Sequence, residues 1–103
     1  MVSLKDMETI TVQALKDTLV HFGTDEVLVD VREPYEFAGG NIPGARNIPL
    51  GDIPNAADEL KKFKTVYVNC RSGGRSAHAC EFLVGVGVHA VNVEGGMIAW
   101  GKS

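Results

Sequence analysis

Apolar positions along the chain follow two rhythms. Val27-Leu28-Val29-Asp30-Val31 and Thr65-Val66-Tyr67-Val68-Asn69 are short, nearly unbroken apolar or β-branched runs, the pattern of strands covered on both faces. His89-Ala90-Val91-Asn92-Val93 is a third such run, and Thr9-Ile10 begins a shorter one. Between the runs, apolar residues recur at helical spacing. Val12, Leu15, Leu19 and Phe22 make one stripe, with Thr11 as N-cap and Gly23 as the stop. Ile53, Ala56, Ala57, Leu60 and Phe63 make a second, in a helix predicted from Asp52 to Phe63 with Asp52 as its cap. Ala77, Cys80, Leu83 and Val84 share a face in a third helix, predicted from Ala77 to Val86 and ended by Gly85 and Gly87.

Shorter pieces fill the gaps. Pro34 stands at an N1 position and opens one helical turn to Phe37, ended by Gly39-Gly40-Asn41. Ile42 to Pro49 reads as a turn and a very short strand, and its two prolines assign that strand to a sheet edge. Glu94-Gly95-Gly96 is a turn, and Met97 to Trp100 a final helical turn whose Trp100 plugs the core. The polar start, Met1 to Glu8, is expected to fray. Strands alternating with helices imply an α/β fold: a mainly parallel sheet, helices on both faces and right-handed connections.

Composition narrows the function. A chain of 103 residues fits one domain, residues 1–103. The net charge of −3 argues against nucleic acid as a partner. Lys61, Lys62 and Lys64 cluster at a helix C-terminus, where the helix dipole favours cations, and read as a solvated face. His21 reads as a surface or capping residue. Two cysteines are too few for a disulfide scaffold and fit no zinc spacing, so no metal is expected. With no signal peptide and no membrane-length apolar run, the expected setting is the reducing cytoplasm. Nothing in the sequence sets the oligomeric state.

The chemistry concentrates in Cys70-Arg71-Ser72-Gly73-Gly74-Arg75-Ser76, between a strand and a helix. The carboxyl end of a parallel strand is where such sheets bind ligands. Gly73 and Gly74 free the loop's N–H groups to point inward as an anion cradle. The helix N-terminus adds partial positive charge, and Arg71 and Arg75 add two full charges. All of this favours the Cys70 thiolate, an exposed nucleophile facing an anion site. Cys80 reads as a small core residue. A Cys70–Cys80 disulfide is disfavoured by the helical rise between them. His78 points away from the apolar face. Asp30 and Arg32, at the end of a strand, lie at the edge of the same site, with a structural ion pair as the competing reading.

The chain resembles the rhodaneses, or rhodanese-like sulfurtransferases, over nearly its whole length. The resemblance rests on four stretches in order. They are Asp30-Val31-Arg32-Glu33-Pro34-Tyr35-Glu36-Phe37; Gly40-Asn41-Ile42-Pro43-Gly44-Ala45 with Asn47-Ile48-Pro49; Cys70 to Ser76; and Glu94-Gly95-Gly96-Met97-Ile98-Ala99-Trp100. It implies a rhodanese-like three-layer fold with a five-stranded, mainly parallel sheet in the order 1-5-4-2-3. It also implies sulfur transfer through a persulfide on Cys70, with no cofactor. The donor would be a small sulfur-containing anion such as thiosulfate or polysulfide, bound by Arg71, Ser72, Gly73, Gly74, Arg75 and Ser76. The acceptor would be cyanide, a thiol or a protein. Asn41 stands where the family often has histidine, at a turn position where little effect is expected. The chain stops soon after Trp100 where many relatives continue, which would loosen that edge.

Three alternatives remain open. The family resembles the dual-specificity phosphatases, whose loops place one more residue between cysteine and arginine. Only four residues, Arg71 to Gly74, separate Cys70 from Arg75. An arsenate-reductase-like enzyme and a non-catalytic interaction module are the other two.

Overall fold

The computed structural model describes residues 7–103; the frayed start expected of the first residues lies largely outside them. The elements are β1 (Thr9–Ile10), α1 (Val12–Leu19), β2 (Glu26–Asp30), α2 (Pro34–Ala38) and β3 (Arg46–Asn47). A 3-10 turn (Leu50–Asp52) then leads into α3 (Ile53–Leu60), β4 (Thr65–Asn69), α4 (Gly74–Gly85), β5 (Ala90–Val93) and α5 (Gly96–Gly101). The five strands form one sheet in the order β1-β5-β4-β2-β3, and every pairing is parallel. This is the order implied by the resemblance.

Strand alternation sends side chains into two cores. Val27, Val29, Val31, Val66, Val68 and Cys70 pack with Ile53, Ala57 and Leu60 of α3 and Ala79, Cys80 and Leu83 of α4. On the other face Leu28 and Val93 pack with Val12 and Leu15 of α1 and Ile42, with Met97, Ala99 and Trp100 of the α5 segment laid against them. Each fully buried leucine contributes about 1.5–3 kcal/mol relative to exposure. Trp100 is half-buried, with the Lys16 ammonium 4.9 Å from its ring centre.

Several element ends differ from expectation. Thr11 caps α1 as expected, its hydroxyl accepting from Ala14 N at 3.1 Å, but the helix stops at Leu19. Phe22 still packs inward, 5.5 Å from the Tyr67 ring. Asp52 makes no side-chain cap. Its backbone is already helical (φ −96°, ψ −5°), whereas a capping side chain needs an extended residue to reach the N–H groups ahead. Asn41 lies in the irregular stretch after α2, its amide donating to Phe37 O at 2.9 Å. The largest difference is at α4, which starts at Gly74 rather than Ala77. The chain bends over Arg71 to Gly73 and ends the bend with Gly73 at φ +105°, so Gly74, Arg75 and Ser76 already form the first helical turn.

This topology places the chemistry. Connections leave β2 toward one edge of the sheet and β4 toward the other, so the ends of these two strands flank a switch point. There Asp30 and Asn69 lie in register, and Cys70 follows Asn69.

Candidate active site

Cys70 follows the last residue of the central strand, and its loop closes around it. Gly73 N donates to the sulfur at 3.1 Å, and Ser76 Oγ lies 3.2 Å from it. Burial raises the Cys70 pKa. The Ser76 hydroxyl and the backbone N–H groups of Ser76, Gly73 and Ser72 outweigh that, and the pKa ends below its usual 9.0. The sulfur is therefore activated, but the exposure expected from the sequence does not hold: Cys70 is only 1% accessible. A ring of N–H donors can stabilise a thiolate only by surrounding it, and surrounding it excludes water. Cys80 is buried too, and burial pushes its thiol up to about 12. The two cysteines are unpaired.

The loop is held from behind by α5. Met97 N donates to Cys70 O at 2.9 Å and Ile98 N to Arg71 O at 3.0 Å. These bonds require the backbone at Gly96, which is buried and has φ +53°, to lie directly against the loop carbonyls.

The two arginines separate. Arg71 is exposed and forms no ion pair among the described residues. Arg75 is clamped by Glu36, Nη1 to Oε1 at 2.7 Å and Nη2 to Oε2 at 2.9 Å, the two-pronged geometry that makes such pairs strong. Glu36 Oε1 also accepts from Glu33 N at 3.0 Å. Arg75 therefore braces the loop through α2, while Arg71 remains available to a ligand.

Asp30 and Arg32 form the buried pair of the structural reading. Arg32 Nε donates to both Asp30 oxygens at 3.0 Å, and Nη2 to Oδ2 at 2.9 Å. The same guanidinium donates to Gly40 O at 2.7 Å and Glu36 O at 3.3 Å. It thus fixes the loop that presents Glu36 to Arg75. His78 is exposed on α4, and among the described residues no hydrogen bond joins it to the sulfur.

Hydrogen bonding to Arg75 holds the Glu36 carboxyl well down, from 4.5 to about 2. A depressed folded-state pKa means that the clamp adds stability above the unfolded value, and that this is lost as pH falls from about 4.5 toward 2. Urea unfolding of the native protein and of Glu36→Gln across that range should show a stability gap near neutrality that closes by about pH 2. A gap independent of pH would mean that the charge of Glu36 contributes nothing.

Two working residues carry little signal in the sequence. Glu36 meets Arg75 across 39 positions, a separation no local pattern spans. Asn92 is buried on β5 and accepts from Ser76 Oγ at 2.5 Å. Its one visible sign is a polar residue inside an otherwise apolar strand.

The Cys70 sulfur, ringed by hydrogen-bonding groups at a parallel switch point, defines the candidate site, and a family model decides the family. The model for the Rhodanese-like domain matches residues 11–103. The chain belongs to this family. Among rhodanese relatives, YtwF of Bacillus subtilis is 43% identical over 95 residues, covering 92% of this chain and 91% of that protein. A protein of Allochromatium vinosum named "Sulfurtransferase" is 42% identical over 103 residues, covering 99% and 91%. The crystal structure of a rhodanese-like domain protein from Staphylococcus aureus superposes with a TM-score of 0.84 at 42% identity, covering 91% of each chain. Like these chains, the present one carries a rhodanese domain over most of its length.

Proposed function

We propose that residues 1–103 form one rhodanese domain acting as a sulfurtransferase, with Cys70 carrying a persulfide between two half-reactions. The Cys70 thiolate attacks the outer sulfur of a sulfane donor such as thiosulfate. The donor's S–S bond breaks, sulfite leaves with its electron pair, and a new S–S bond forms on Cys70. A nucleophilic acceptor, cyanide in an assay or a thiol or protein thiol in the cell, then attacks the outer sulfur and releases the Cys70 thiolate. Arg71 attracts the anionic donor. The N–H groups of Ser72, Gly73 and Ser76 stabilise negative charge on sulfur through both steps, and Arg75 keeps that loop in shape. The chemistry calls for no metal or organic cofactor, and a reducing cytoplasm would keep the thiol ready. Among the described residues no helix is long and apolar enough to cross a membrane.

The observation that carries the reading is the set of donors on the Cys70 sulfur. Relatives named as sulfurtransferases that span nearly the whole chain support it. The short spacing between Cys70 and Arg75 favours a sulfur atom over a phosphoryl group with its three equatorial oxygens.

Paired kinetics test it. The native protein should form thiocyanate from thiosulfate and cyanide and leave a small aryl phosphate intact. Cys70→Ser should abolish thiocyanate formation and Cys80→Ser should retain it. Arg71→Ala should raise the KM for thiosulfate without moving the urea midpoint. Aryl phosphate hydrolysis that is efficient in the native protein and lost in Cys70→Ser would put phosphatase chemistry in its place.

A further inference from the structure

We infer that Asn92 is a positioning residue for Cys70: its side-chain oxygen competes with the sulfur for the single proton of the Ser76 hydroxyl. The inference rests on Cys70 being the nucleophile proposed above, and it follows from counting protons along one short chain of contacts. Cys70 Sγ lies 3.2 Å from Ser76 Oγ. Ser76 Oγ lies 2.5 Å from Asn92 Oδ1, an acceptor only. Asn92 Nδ2 donates to Gly73 O at 3.3 Å, which fixes the amide with its oxygen toward Ser76. Ser76 is fully buried and Asn92 nearly so.

A hydroxyl has one proton to give. While Cys70 is a thiol, S–H donates to Ser76 Oγ and O–H donates to Asn92 Oδ1, so every group is satisfied. Once Cys70 ionises, the arrangement cannot persist unchanged. The hydroxyl must turn to donate to the anionic sulfur, and Asn92 Oδ1 then loses its donor in a dry interior. Asn92 thus restrains the thiolate through Ser76, while its amide hydrogen bond keeps Gly73 aimed at the sulfur. The other ionisable groups that feel the Cys70 charge are Arg75 and Cys80, both on α4. Arg71 stands exposed in the loop. From β2, the residue after it and α3 the same core cluster contributes the apolar side chains of Val29, Val31 and Ile53.

The test is a double-mutant cycle read by the pH dependence of alkylation at Cys70, followed by mass, with no sulfur donor present. Asn92→Leu keeps the branched side-chain shape and removes the competing acceptor. The alkylation midpoint should fall by about 0.7, about a five-fold gain in thiolate below the midpoint. Ser76→Ala should raise the midpoint. In the Ser76→Ala background, Asn92→Leu should no longer lower the midpoint, because the shared proton is gone; the lost hydrogen bond to Gly73 can only raise it there. A second measurement needs no change at Asn92: the carbon-13 shift of its side-chain carbonyl should titrate with the alkylation midpoint in the native protein and stay flat in Ser76→Ala. A folded Asn92→Leu protein with an unchanged or raised midpoint would overturn the inference. So would an equal shift in the Ser76→Ala background, or a native Asn92 carbonyl that does not titrate. If Asn92→Leu does not fold, the carbon-13 titration decides. Because no donor is used, this result and the thiocyanate assay can fail independently.

Discussion

Gly96→Ala should cost about 3 kcal/mol or more of stability and remove sulfur transfer with it. Gly96 has φ +53°, where a β-carbon is strained in itself. A β-carbon there would also lie 2.7 Å from the carbonyl carbon and oxygen of Arg71 and closer still to Cys70 O. These are backbone atoms, which cannot swing aside as a side chain can. To relieve the overlap, α5 must retreat from the loop and give up the Met97 and Ile98 hydrogen bonds to the Cys70 and Arg71 carbonyls. Stability and cradle geometry should therefore fall together. Gly74→Ala is the contrast: it lies at the start of α4 with a negative φ, and an added β-carbon there meets nothing within 4 Å. That change should leave stability unchanged or raise it by up to about 1 kcal/mol. Urea unfolding and thiocyanate formation on the two variants check the pair. A Gly96→Ala protein as stable and active as its parent would mean that the α5 contact does not hold the loop.

Arg32→Ala should be comparably damaging, at about 3–5 kcal/mol, because it leaves the Asp30 carboxylate buried without its partner. The loss reaches the active site by a defined route. Arg32 also donates to Gly40 O and Glu36 O, so its removal frees the segment carrying Glu36, and Arg75 then loses its clamp. Arg32→Lys should recover only part of the stability, since an ammonium cannot reproduce the two-pronged contact. Urea midpoints read the stability, and the KM for thiosulfate reads the loop. A loss below about 1 kcal/mol in Arg32→Ala would show that the pair contributes little, as exposed pairs do.

The sequence foretold β4, β2 and β5 within one residue at each end because their runs are buried on both faces and carry no competing helical period. Cys70 stood out for a related reason: a thiol between an apolar strand and two glycines has few structural explanations. The start of α4 was hidden because glycine ranks low as a helix former. Only the observed left-handed Gly73 shows that the turn is complete before Gly74. The burial of Cys70 was hidden as well, since the groups that cover it, the backbone of Gly73 and the hydroxyl of Ser76, carry no hydrophobic signature. The division of labour between Arg71 and Arg75 depends on Glu36, which only the tertiary fold brings within reach of Arg75. Asn92 belongs to the same class, its role depending on β5 lying beside β4 in the sheet.

The most direct test of sulfur transfer through Cys70 is the intact mass of the reduced protein after brief exposure to thiosulfate and removal of excess reagent. One sulfur atom, about 32 Da, should be added to the native protein and to Cys80→Ser, mapped to Cys70 and removed by cyanide as thiocyanate. Cys70→Ser should gain nothing. An adduct that persists in Cys70→Ser, or one that maps to Cys80 in the native protein, would contradict the account.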